Sequence, residues 1–94
     1  MDFSQYVNSL EAVFDEAVVA GNDDELFASG YLRGHFDLVV AQLELAEGVS
    51  DAGAQQRLLP ALAAALDATR SELKPQDQQH VQAMLARLQQ RAAS

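Results

Sequence analysis

The sequence predicts an all-α protein, a small four-helix bundle with mostly antiparallel neighbours. Three observations carry this reading. Apolar residues return in alternating steps of three and four along four separate stretches, the spacing of one helical face. Apolar residues form 49% of the 94 positions, alanine and leucine are abundant, and only two prolines occur, which favours helices over strands. Only a few residues separate the stretches, and short connections set successive helices antiparallel. A chain of this length supports one core, so residues 1–94 are read as a single helical domain.

The first helix is expected over residues 3–20. Phe3, Val7, Leu10, Phe14 and Ala17 form its stripe, and Tyr6, Val13 and Val18 widen it into a core-facing band. Asp2 with Gln5 suits a capping box, and Gly21 suits the left-handed position after the helix end. The second helix is expected over residues 23–46, opened by Asn22 with Glu25 as another capping pair. Asp23, Asp24 and Glu25 place negative charge at the positive end of its dipole. One stripe is Phe27, Tyr31, Gly34, Leu38, Ala41 and Leu45; a second apolar line is Leu32, Phe36, Val40 and Leu43. Glu47, Gly48, Val49 and Ser50 read as a turn.

The third helix starts near Asp51 and ends near Thr69 or Glu72, with Leu58, Leu62, Ala65, Leu66 and Thr69 inward. Pro60 lies inside it, removes a backbone donor and crowds the preceding turn, so a kink or restart is expected there. The pattern also admits a break at Gly30. The fourth helix opens at Pro75, a residue suited to the first helical position, with Asp77 close behind. Val81, Met84, Leu85, Leu88 and Ala92 form its stripe, and Arg87 and Arg91 sit at its negative end.

Charge and cysteine content exclude several functions. The net charge is −8, and residues 1–47 hold ten acids against one base, Arg33. Residues 48–94 hold four acids and five bases. Such a surface repels phosphates, so no nucleic-acid partner is expected. Without cysteine there is no disulfide, thiolate nucleophile or cysteine metal site. The longest uncharged apolar run, residues 58–66, is far short of the ~18–20 residues of a membrane span, so no membrane partner is expected. The start Met1-Asp2-Phe3 has no basic region or apolar signal core, and the expected compartment is the cytoplasm.

The least ordinary stretch is residues 23–35, DDELFASGYLRGH. Two glycines, Gly30 and Gly34, stand inside a helical pattern, at about 0.5–1 kcal/mol each relative to alanine. This string resembles the YfcL family of small bacterial proteins, and Pro75 followed by Asp77 is similar as well. The resemblance implies a short, soluble chain and brings no reaction, cofactor or ligand with it.

Each candidate residue has an ordinary and a functional reading. Gly30 and Gly34 admit close packing against an aromatic of the first helix such as Phe14, a groove for another backbone, or a flexible break. Arg33 and Asp37 are spaced for a surface ion pair, and Arg33 also suits an anion. His35 and Tyr31 are spaced for a hydrogen bond, and a histidine there is a candidate acid, base or pH sensor. Asp77 and His80 have metal-ligand spacing, but a bundle metal site needs more ligands than the sequence offers, so no metal or other cofactor is expected. No nucleophile elbow or phosphate-binding loop is present.

The leading expectation is a non-enzymatic interaction module. If the other helices cover only the first stripe of the second helix, then Phe36, Val40 and Leu43 remain exposed as an association surface. If that helix is central, it is buried on both sides and they belong to the core. In the first case they meet a protein partner or a second copy, with Tyr31, Arg33, Gly34 and His35 as a polar rim. The alternative is a small-molecule binding or catalytic protein, with an anion pocket around Gly30, Arg33, Gly34 and His35.

Overall fold

A computed structural model describes residues 2–46, 48 and 50–93. It is all-α, with four helices: α1 (Phe3–Ala20), α2 (Asp23–Leu45), α3 (Asp51–Thr69) and α4 (Pro75–Ala93). A 3-10 turn, Arg70–Glu72, follows α3.

Local chemistry sets the helix ends. At α1 the capping box is complete: Asp2 accepts from the Gln5 backbone N–H at 2.8 Å, and Gln5 Oε1 accepts from the Asp2 N–H at 3.0 Å. Asn22 Oδ1 accepts from the Glu25 N–H at 2.9 Å, and Ser50 Oγ accepts from the Gly53 N–H at 3.0 Å. Between α3 and α4 the Gln78 amide donates to the carbonyls of Arg70 and Leu73, both at 2.9 Å. These bonds satisfy carbonyls that the end of α3 leaves open.

Gly21 does not occupy the expected left-handed position; its φ is −83°, in extended backbone. The glycine is demanded by space instead. A Cβ at this position would collide with the carbonyl oxygen of Ala17 and lie 2.9 Å from the Cβ of Glu25. The left-handed glycine is Gly48, with φ +75°. It stands in the expected turn, of which Glu47 and Val49 lie outside the described residues. The helices pass through both expected break points: α2 is continuous across Gly30 and Gly34, and α3 across Pro60.

Helix α2 is the hub. It packs against α1, α3 and α4, whereas α3 and α4 touch each other little. The core gathers the stripes of α1, α3 and α4 around Ala28, Leu32, Phe36, Val39 and Val40 of α2. Val18, expected inward, is exposed, because α1 turns that flank past the edge of the bundle.

The uneven charge is partly answered within the fold. Arg87 of α4 reaches Glu16 of α1 at 3.7 Å and Glu25 of α2 at 3.6 Å, and Arg91 meets Glu16 at 2.8 Å. The two bases of α4 thus clamp the acidic helices at the end where α1 passes into α2.

Candidate functional site

The two apolar lines of α2 point in opposite directions, and their roles are the reverse of the expected ones. Phe36 is 0% exposed, Val40 is 9% exposed, and Leu43 is half-buried against the core. None of the three forms a free surface. The physical reason is the hub position of α2: three neighbours converge on the face that carries Ala28, Leu32, Phe36 and Val39. Small Ala28 and Ser29 and the branched valines let them approach.

The other stripe faces solvent. Phe27 is 44% exposed, Leu38 58% and Leu45 83%. Ala41 is also exposed. Gly30 and Gly34 are exposed, and a Cβ built on either meets nothing within 4 Å. They pack against no aromatic of α1, which corrects the intramolecular reading. Phe27, Gly30, Gly34, Leu38, Ala41 and Leu45 together make an uncharged strip down the outside of the longest helix.

Aromatic side chains line one edge of this strip. The rings of Phe27 and Tyr31 stack with centroids 6.1 Å apart, and those of Tyr31 and His35 lie 5.0 Å apart at 56°. The expected Tyr31–His35 hydrogen bond is not made. Tyr31 donates instead to Thr69 Oγ1 of α3 at 3.0 Å, which leaves its ring half-buried. The Thr69 hydroxyl in turn lies 3.3 Å from the Ala65 carbonyl and 3.4 Å from that of Leu66.

Arg33 closes the opposite edge. Its expected partner, Asp37, is not the one it takes. The guanidinium crosses to α1, 3.5 Å from Asp15 and 3.9 Å from Glu11, and lies 5.8 Å from the centre of the Phe14 ring. Two carboxylates therefore occupy the cation that was the candidate anion anchor, and Gly30 and Gly34 border open solvent rather than a cleft. The pocket expected around Gly30, Arg33, Gly34 and His35 is not formed.

Concavities lie elsewhere among the described residues. One of about 590 Å³ opens between α3 and α4, with Arg70, Gln78 and Gln82 on its walls. Gln78 is committed to the turn, and Arg70 lies 3.6 Å from Asp67. A shallow one of about 450 Å³ runs along the end of α1 beside Ala12, Glu16 and Val19. His80 stands 3.5 Å from Asp24, and no cluster of three or more metal-ligating side chains occurs among the described residues. Among the described residues no helix is long and apolar enough to cross a membrane.

Comparison with known proteins agrees with the likeness seen at residues 23–35. No solved structure matches the chain. A relative from Escherichia coli (strain K12), named "Uncharacterized protein YfcL", is 38% identical over 90 residues, covering 96% of this chain and 96% of its own. The model of the family described as YfcL protein matches residues 4–90, almost the whole bundle, and the chain belongs to the YfcL family.

Proposed function

We propose that the protein is a non-enzymatic interaction module that docks a protein helix on the outward face of α2. One observation carries the reading: α2 bears a second apolar face, opposite the one that builds the core, which lies open to solvent among the described residues. Fully burying a leucine or phenylalanine is worth about 1.5–3 kcal/mol. Phe27, Leu38 and Leu45 leave much of that ungained in the isolated chain. The two glycines add to the imbalance, since each weakens the helix without admitting a neighbour from the same molecule. Contiguous apolar surface of this kind marks sites of association. Both features make sense together if another helix lies along the strip, with its backbone close over Gly30 and Gly34.

The test is photocrosslinking in living cells, with a photoreactive phenylalanine analogue replacing Leu38 or, as control, the exposed Ala64 of α3. The expected result is a protein adduct from position 38 that position 64 does not give. Equal adducts from both positions, or none from position 38, would overturn the reading.

A further inference from the structure

We propose that the helix docked on this face is the α2 of a second copy, laid antiparallel so that the two Gly34 residues meet on a twofold axis. This rests on the reading of the outward face as an interaction surface, and names its partner.

The sequence of the strip is self-complementary about Gly34. In an antiparallel pair centred there, residues equally far before and after Gly34 face each other. Phe27 then stands opposite Ala41 of the second copy, and Leu38 opposite Gly30 of the second copy. These two bulky side chains each meet a small one, at both ends by symmetry, while Leu45 stands opposite Asp23 of the second copy. The axis itself carries glycine, the residue that permits the closest approach of two backbones.

Charge points the same way. The protein as a whole is strongly acidic, which opposes self-association, but the strip carries no formal charge. On its flank Asp37 is exposed and forms no ion pair among the described residues. Arg33 lies four residues earlier, on the far side of Gly34, with its side chain still more than a third exposed. The antiparallel pairing brings Arg33 of each copy to the same flank as Asp37 of the other, two residues or about 3 Å apart along the helix axis. Each Arg33, which already lies beside Asp15 and Glu11 of its own chain, then also has Asp37 of the other copy within the reach of its side chain, near the axis.

The area sets the strength. From Phe27 to Leu45 the strip is about 27 Å long at 1.5 Å per residue. With a contact about 10 Å wide it buries about 300 Å² per copy, or about 600 Å² in all, against about 1,200 Å² for a standard stable interface. The dimer is therefore transient and fills only at high protein concentration.

The chain has no cysteine, so one introduced thiol reports on one position. Under mild oxidation Gly34→Cys is expected to form a covalent dimer faster than Leu38→Cys or Ala64→Cys at equal concentration. A disulfide needs Cα atoms about 4.4–6.8 Å apart, and the two copies of position 38 stand about 12 Å apart along the axis. In sedimentation equilibrium up to about 1 mM, wild type is expected to dimerise, and Gly34→Leu to weaken dimerisation about tenfold or more. The melting temperature of Gly34→Leu should rise, because the Cβ site is open and the helix gains, so weakened association is not misfolding. Wild type that stays monomeric to that concentration, or Gly34→Cys that oxidises no faster than Ala64→Cys, would overturn the proposal. A monomer whose position-38 crosslinker still captures a different protein overturns the second copy alone. A monomer with no adduct at position 38 overturns the interaction reading as well.

Discussion

The ring of Phe36 stands edge-on to the ring of Phe14, with centroids 5.3 Å apart and planes at 65°. Both rings are fully buried, and they join α2 to α1 at the centre of the bundle. Truncating a buried phenylalanine to alanine costs about 3–5 kcal/mol. A domain of this size has a total stability of about 5–15 kcal/mol, so Phe36→Ala should leave the protein marginal. Urea denaturation followed by circular dichroism reads this directly. The gentler pair Phe14→Leu and Phe36→Leu, made singly and together, should show a coupling of about 0.5–1.5 kcal/mol from the edge-to-face contact. A loss below about 1 kcal/mol for Phe36→Ala would mean that this side of α2 is not the core face.

Three glycines should respond to alanine with opposite signs. At Gly30 and Gly34 the new methyl enters open space, and only the helix propensity changes. Each substitution should stabilise the monomer by about 0.5–1 kcal/mol. At Gly21 the methyl runs into the Ala17 carbonyl oxygen, which is held in place because it accepts the Gly21 N–H at 2.8 Å. Gly21→Ala should therefore destabilise, by about 1–3 kcal/mol. Melting temperatures at low protein concentration, where α2 is unpaired, give all three signs. A stabilising Gly21→Ala would show that the turn between α1 and α2 is looser than this geometry.

Periodicity was enough for the helices and three of the four buried stripes, and the Asp2–Gln5 and Asn22–Glu25 spacings for the starts of α1 and α2. Val7, Leu10 and Phe14, then Leu58, Leu62 and Leu66, then Val81, Leu85 and Leu88 each belong to a helix with a single apolar line. Helix α2 has two, and a helical repeat cannot say which one meets the neighbours. Side-chain size was the signal that decides. The line with Gly30, Gly34 and Ala41 has gaps that a core close-packed to crystalline density would have to fill. The line with Leu32, Phe36, Val39 and Val40 has none. The partners of Arg33 and Tyr31 were illegible for another reason. Glu11, Asp15 and Thr69 are distant in sequence, and only the crossing of the helices brings them within reach.

Two groups should shape the pH dependence of stability, at opposite ends of the scale. The carboxyl of Glu16 is held below the usual glutamate range, first by its hydrogen bond with Arg91, against a smaller effect of desolvation, and then by the charges of Arg91 and Arg87. A depressed folded value means that the unfolded chain takes up the proton first as the solution is acidified. The stabilisation is thus complete above about pH 4.3 and is lost as pH falls through the lower folded value. Glu16→Gln should melt below wild type at neutral pH, and the gap should close on acidification. Burial pushes the Tyr6 hydroxyl above its ordinary value, so the unfolded chain ionises first as pH rises beyond about 10. Wild type should lose stability there relative to Tyr6→Phe. Parallel melting curves for variant and wild type across either range would remove the corresponding group from the account.

The Tyr31 hydroxyl ties the exposed face of α2 to the last residue of α3, and that bond can be separated from the ring that carries it. Tyr31→Phe keeps the stacking with Phe27 and the contact with His35 but removes the donor to Thr69. A hydrogen bond of this kind contributes about 0.5–1.5 kcal/mol net, and its half-buried position argues for the lower part of that range. Thr69→Val should cost a similar amount and the double variant little more than either, because each single change already breaks the same bond. The two losses would add in full if the hydroxyls acted independently. The docking face itself should tolerate Tyr31→Phe, since the strip of Phe27, Gly34 and Leu38 is unchanged. Crosslinking from position 38 should therefore persist in Tyr31→Phe and fall in Phe27→Glu. A stability loss without a docking loss in Tyr31→Phe would assign the hydroxyl to holding α3 on α2. A loss of both would mean that the position of α3 sets the shape of the face.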